Sequence, residues 1–218
     1  MNEKFYEDWT HDLKWGIHQA RCVVGHNLKV AWNLTRMHSL MPKESYKTFA
    51  HQIADAIPGA GCDNQRGGWY DMMERTLKEG EENYRRVWHD RKAWWQQEQG
   101  ILAYYIMAGV YDDKPEYLNF AREGTAFYNG WFLDYESGGI YFNVLANGQP
   151  YALGSERGKG SHSMAGYHSF ELCFLAAIYS NLLVNKQPMD FYFKPNPQGW
   201  PDNKLRVAPD LLPKGSVQ

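Results

Sequence analysis

The chain has 218 residues, 44% of them hydrophobic, with a formal net charge of -2 and a pI near 6.4. That content is enough for a core and argues against disorder, and the scattered basic residues lack the cluster that a phosphate backbone demands, so no nucleic-acid partner is expected. No apolar run approaches the roughly 18 residues of a membrane span, and the opening MNEKFYEDWTHDLKW is polar and aromatic rather than leader-like, so no membrane contact and a cytoplasmic address are expected.

A first helix is predicted over about 27–40. Its apolar residues Leu28, Val30, Ala31, Trp32, Leu34 and Met37 cover most of the circumference, the mark of a helix enclosed on both faces. A shorter helix over about 44–56 has a one-sided stripe, Phe49, Ile53 and Ile57, which suits an outer layer. A Gly67-Gly68 step then leads into an extended segment, Trp69-Tyr70-Asp71. The pattern repeats: an enclosed helix over about 92–108, an outer one over about 115–129 with the stripe Leu118, Ala121 and Phe127, then Gly138-Gly139-Ile140-Tyr141-Phe142. Asn147-Gly148 is a strong hairpin turn signal. A third enclosed helix is predicted over about 161–183, and from Pro188 onward five further prolines impose extended wrapping.

His26, Gln97 and His168 stand about 70 residues apart in this weak repeat, which describes a toroid of two concentric helix layers. A closed toroid of that kind needs about twelve helices, and about five are present, so the chain covers about half. The expected class is all-α, with residues 1–187 a partial barrel carrying short hairpins on its loop rim, and 188–218 an extended C-terminal segment. Inner helices this apolar need cover on every side, so a missing N-terminal half or a homodimer partner is expected to complete the ring.

The compositional excess is aromatic: 16% Phe, Trp and Tyr, with nine Trp. A pyranose presents apolar C–H patches ringed by hydroxyls, which match an aromatic face flanked by hydrogen-bonding groups. Cys22, Cys62 and Cys173 are odd in number and widely spaced, and they read as buried thiols. Without H-E-x-x-H or a P-loop ending, neither a metal nor a cofactor is expected.

Three motifs carry a resemblance: Gly25-His26-Asn27-Leu28; Asp90-Arg91-Lys92-Ala93-Trp94-Trp95-Gln96-Gln97; and Lys159-Gly160 leading to Tyr167-His168. In this order, over about residues 9–195, they resemble the second half of the N-acylglucosamine 2-epimerase and cellobiose 2-epimerase family. The resemblance implies an (α/α)6 barrel and interconversion of sugars epimeric at carbon 2, or of aldoses and ketoses. It implies that His26 and His168 are general acid and base, and that Trp94, Trp95, Gln97 and Tyr167 are substrate-pocket positions for a mono- or disaccharide. The chemistry agrees, because taking a proton from the carbon beside a carbonyl needs a base with a pKa near the working pH, where imidazole starts at about 6.5. Two histidines flanking a planar enediolate can take a proton from one face and return it to the other.

The chain departs from the family at Lys29 and Gln99, where Glu is usual, and at Glu171, where Arg is usual. Residues three apart share a helix face, which puts Lys29 beside His26 and Glu171 beside His168. If Lys29 and Glu171 pair across the barrel, the charge exchange preserves the pair and changes which histidine has a carboxylate neighbour. Ser163-Met164 replaces a usual Trp-Lys, with His162 as an extra imidazole. Two alternatives stand beside the isomerase reading: a non-catalytic sugar-binding relative, and a glycoside hydrolase using two of Asp71, Glu74, Glu98 and Asp134.

Overall fold

A computed structural model describes residues 1–12, 14, 21–87, 89–161, 163–194, 198 and 199. Among the described residues, five α-helices and four three-residue strands form two copies of one unit plus the start of a third. The first unit is β1 (Arg21–Val23), α1 (Val24–Leu40), α2 (Glu44–Gly61) and β2 (Met72–Glu74). The second is β3 (Arg91–Ala93), α3 (Trp94–Val110), α4 (Glu116–Trp131) and β4 (Asn143–Leu145), and α5 (Tyr167–Tyr179) opens the third. In each complete unit the strand leading into the inner helix pairs antiparallel with the strand that follows the outer helix: Cys22 opposite Met73, Lys92 opposite Val144. The result is part of an (α/α)6 toroid, with inner helices α1, α3 and α5, outer helices α2 and α4, and two small sheets on one rim.

The glycine steps close each outer helix back onto its rim. Gly67 and Gly68 both have φ +78°, and Gly138 and Gly139 have φ +73° and +88°, conformations that a side chain disfavours. Asp63 Oδ1 accepts from the amides of Gln65 and Arg66, and Asp134 Oδ1 accepts from those of Glu136 and Ser137. Each turn is thus held by an Asp side chain mimicking backbone. The glycines therefore make the turn itself, and the strands begin only at Met72 and Asn143. Asn147-Gly148 forms the predicted hairpin, with the Gly148 and Leu145 amides bonded to Leu145 and Gln149 carbonyls.

The core centres on α3, which packs against α1, α4 and α5. Trp69, 1% exposed, stacks on Tyr104 with centroids 5.3 Å apart. Its indole lies over Gly100, where a Cβ would come within 2.2 Å of Nε1, so only glycine admits the ring.

Several sequence expectations need correction. Only α3 is enclosed all round: α1 exposes Met37 and Leu40, and α5 exposes Tyr167, Phe170 and Phe174, because no described element covers those flanks. Cys173, on α5, is exposed and Cys62, at the end of α2, is half-buried, so only Cys22 is the buried thiol expected. On α2 the buried positions are Ala50, Ala54, Ile57 and Gly61, while Phe49 is 56% exposed. Small residues face inward there because they let α2 approach α1 closely. The third inner helix starts at Tyr167, just past Gly166, rather than near 161, and it ends in a π turn over Ser180–Val184. Residues 188–194 have no regular structure, although Met189 and Phe191 pack on the core; most of the predicted C-terminal segment lies outside the described residues. No described helix is long and apolar enough to cross a membrane.

Candidate functional site

The first residues of all three inner helices open onto one cavity of about 490 Å³. His26 and Lys29 of α1, Trp94 and Trp95 of α3, and Tyr167 and His168 of α5 line it, joined by Arg21, Asp71, Arg91, Asn143, Glu156 and Ser163 from the rim. Three helix N-termini converge there, so their dipoles favour negative charge in the cavity and disfavour protonation of an imidazole. None of these helices has a side-chain cap at its start. A larger groove of about 870 Å³ lies on the outer side, around Asp63, Arg85 and Arg86. Its charges are turned on their neighbours, Arg85 on Glu81 and Arg86 over Tyr70, so it gathers no convergent set.

Trp95 has both imidazoles as ring neighbours: His26 with centroids 5.1 Å away and His168 at 5.6 Å. Tyr167 lies against His168 at 3.9 Å, and Trp94 meets it edge-on at 6.1 Å. The aromatic wall and the two histidines therefore belong to one surface.

The two imidazoles have different partners. His26 is half-exposed, with Nδ1 3.4 Å from Glu3 Oε2. Burial works against the Glu3 carboxylate, but His26 and Arg21 hold its pKa below the ordinary value. His168 Nδ1 lies 3.2 Å from the Gln99 amide nitrogen. Burial pushes the His168 pKa down to about 4, with Lys29 and His26 adding to the effect and Glu171 opposing it. Lys29 Nζ and Glu171 Oε2 approach to 3.6 Å, a pairing between the two flanking inner helices.

On the rim, Arg91 donates from Nε to Asp71 Oδ2 at 2.6 Å and from Nη1 to Glu156 Oε2 at 2.7 Å. The Gln96 amide donates to Asp71 Oδ1 and its oxygen accepts from the Gly25 amide, tying the residue before β2 to the starts of α1 and α3. Burial raises the Asp71 carboxyl, against the pull of Arg91.

Among the described residues expected at the site, Gln97 and Glu171 do not line the cavity. Gln97 is fully buried away from the cavity, its side chain holding the Trp69 amide, the Trp69 carbonyl and the Ala93 carbonyl. It is a clamp between the first rim turn and α3, because a helix offset of one residue turns it inward while Gln96 takes the rim side. His162 lies outside the described residues. Sequence reasoning missed Arg21, Arg91, Glu156 and Glu3. Arg21 and Arg91 stand 70 positions apart at the starts of β1 and β3, so aligning the repeat on its strands rather than on its histidines would have found both.

Of the carboxylates of the hydrolase alternative, Asp71 lines the cavity and the other three are engaged elsewhere. Glu98 is fully buried, accepting from Tyr128 and Ser169, and burial pushes its pKa up to about 7. Glu74 pairs with Lys78, and Asp134 with Lys159.

No protein-family profile and no curated protein matches the chain in sequence. Solved structures do match in fold. A D-mannose isomerase is similar over 80% of this chain and 43% of its own, with a TM-score of 0.65 and 16% identity. The cellobiose 2-epimerase from Spirochaeta thermophila DSM 6192 is similar over 82% of this chain and 41% of its own, with a TM-score of 0.64 and 19% identity. A family 76 glycoside hydrolase from a bovine Bacteroides thetaiotaomicron strain matches at a TM-score of 0.51 and 15% identity, over 77% of this chain and 33% of its own. The chain therefore spans about two fifths of the length of this isomerase and of this epimerase.

Proposed function

We propose that this chain carries the proton-transfer half of a sugar 2-epimerase or aldose-ketose isomerase. The observation that carries the reading is the pair His26 and His168 beside one indole, Trp95, at the meeting point of three helix N-termini. An aldose stacked on that indole would present carbon 2 and its carbonyl oxygen to the two imidazoles, and the convergent dipoles would stabilise the negative charge of the enediolate. Fold similarity to a D-mannose isomerase and a cellobiose 2-epimerase supports a saccharide substrate.

The hydrolase reading is disfavoured because a glycosidase needs one carboxyl free to protonate and another free to attack or activate water. Asp71 is held on both oxygens by Arg91 and Gln96, and Glu156 Oε2 is shared by Arg91 and Asn143. A binding-only reading draws on the low basicity of His168.

The experiment is hydrogen exchange at carbon 2. D-mannose, D-glucose or cellobiose is incubated with the protein in deuterated buffer and followed by proton NMR. Loss of the carbon-2 proton is expected, and His26→Gln should slow it at least about 100-fold, the usual contribution of an acid or base. Binding of the sugar without exchange would leave a binding module instead.

A further inference from the structure

We infer that Gln99 locks His168 in the tautomer with its proton on Nε2, making it a hydrogen-bond donor to a substrate oxygen and leaving His26 as the single proton acceptor of the cavity. The division of roles rests on the proton-transfer reading above; the tautomer stands on geometry alone.

Trp32, on α1, is 2% exposed. An indole N–H can only donate, and Trp32 Nε1 lies 2.8 Å from Gln99 Oε1. The amide of Gln99 is thereby oriented, with its nitrogen on the far side. That nitrogen meets two groups, Glu171 Oε2 at 3.0 Å and His168 Nδ1 at 3.2 Å. A carboxylate oxygen only accepts, so Glu171 demands the same orientation of the amide that Trp32 does. Turning the amide over would face its oxygen to a carboxylate and its nitrogen to an indole N–H, losing both bonds. Gln99 is fully buried, so water cannot replace them.

With a donor fixed opposite Nδ1, that ring nitrogen must offer its lone pair, and the single proton of a neutral imidazole sits on Nε2. The groups facing the ring from every side keep it neutral. Lys29 and His26 lie on α1, Trp94, Trp95 and Gln99 on α3, Tyr167 and Glu171 on α5 itself, and Glu156 and Ser163 on the rim. Of these, Lys29 and His26 oppose a further positive charge, while Glu171 is engaged by both Lys29 and Gln99.

His26 has the complementary arrangement. Its Nδ1 faces the Glu3 carboxylate, an acceptor, so the proton belongs on Nδ1 and the Nε2 lone pair is available. The cavity thus holds one imidazole whose Nε2 can take a proton and one whose Nε2 can only give a hydrogen bond. Removal of the proton on carbon 2 then moves it to His26 Nε2, while the electron pair passes to the carbonyl oxygen, which the His168 N–H stabilises; delivery of that proton from His26 to carbon 1, with the hydroxyl proton passing from oxygen 2 to oxygen 1, gives the ketose, so one acceptor suits aldose-ketose isomerisation.

The test is long-range nitrogen–proton NMR of the histidine-labelled protein, with the signals of His168 assigned by their loss in His168→Gln. His168 is expected in the Nε2–H form throughout the range around pH 6.5 in which an ordinary imidazole titrates, and the neutral form of His26 in the opposite tautomer. Gln99→Glu should turn the bond around, switch His168 to the Nδ1–H form and raise its titration midpoint by about 1–3 units, the effect of a neighbouring carboxylate. An Nδ1–H form of His168 in the unaltered protein, or an ordinary titration, overturns the inference. These readouts do not depend on turnover. If no sugar exchanges its carbon-2 proton while the tautomer is as stated, the proton-transfer reading fails and the lock remains.

Discussion

The two complete units use one device in different surroundings. At the turn of the first, Lys92 Nζ, supplied by β3 of the second, spans from Asp63 Oδ2, at 2.8 Å, to the Gly67 carbonyl, at 2.7 Å. In the second, Lys159 Nζ spans from Asp134 Oδ2 to the Gly138 carbonyl, both at 2.7 Å. The Asp-to-Gly-Gly turn, the lysine and its two acceptors coincide, yet the Lys92 side chain is 0% exposed and that of Lys159 is 30% exposed. Lys92 lies under the ring of Phe127, 3.9 Å from its centroid, because the second unit is stacked on the first. No described third unit covers Lys159 in the same way. A repeat protein therefore turns the same local sequence into a buried strut in one place and a surface clasp in the next, and the neighbour decides which.

Lys92→Met tests the difference most strongly. It leaves the Asp63 carboxylate buried without its counter-ion, which should cost about 3 kcal/mol, at the low end for breaking a buried pair because two backbone amides still bond Asp63. Chemical denaturation checks it. A loss no larger than that of Lys159→Met would show that the first unit is not the more enclosed one.

The next effect concerns Glu98, on the enclosed helix α3. Its pKa is raised from 4.5 to about 7, so between those values the folded chain holds a proton that the unfolded chain has released. Stability should fall as pH rises through that window and then level off. In Glu98→Gln the fall should be absent, since the amide oxygen still accepts from Tyr128 and Ser169. Thermal midpoints measured across the window decide it, and an unchanged slope in the variant removes Glu98 as the cause.

The smallest effect belongs to the open unit. The hydrogen bond from Lys159 holds Asp134 down to about 2, with the Ser137 and Glu136 amides assisting. Because that pKa is lowered, the contribution is complete above the ordinary value of 3.8 and is lost as pH falls through about 2. Amide exchange of Ser137 should stay slow to the lower end of that range and become fast at the ordinary value in Lys159→Met. Equal exchange in the two proteins would show that the turn holds without its lysine.

The toroid was legible because its signals are local. Helix period, the paired glycines and the spacing of about 70 residues between His26, Gln97 and His168 all survive in a linear reading. Site membership was legible only where a residue sits in the first turn of an inner helix with its neighbours on the same face, as for Trp95 and His168. Gln97 was misplaced by one residue of helix rotation, which periodicity alone does not resolve. Arg91 and Glu156 escaped notice because their pairing links β3 to a loop 65 residues away.

What the sequence by itself determined is the set of parts: amphipathic and enclosed helices, turns that only glycine allows, and imidazoles spaced to meet at one rim. Tertiary structure alone decided which way each polar group points. The direction of the Gln99 amide depends on Trp32 on α1 and Glu171 on α5, residues 67 positions before it and 72 after it in the chain. A hydrogen bond has a donor and an acceptor, so the character of His168 is set by partners that become neighbours only when α1 and α5 close on α3.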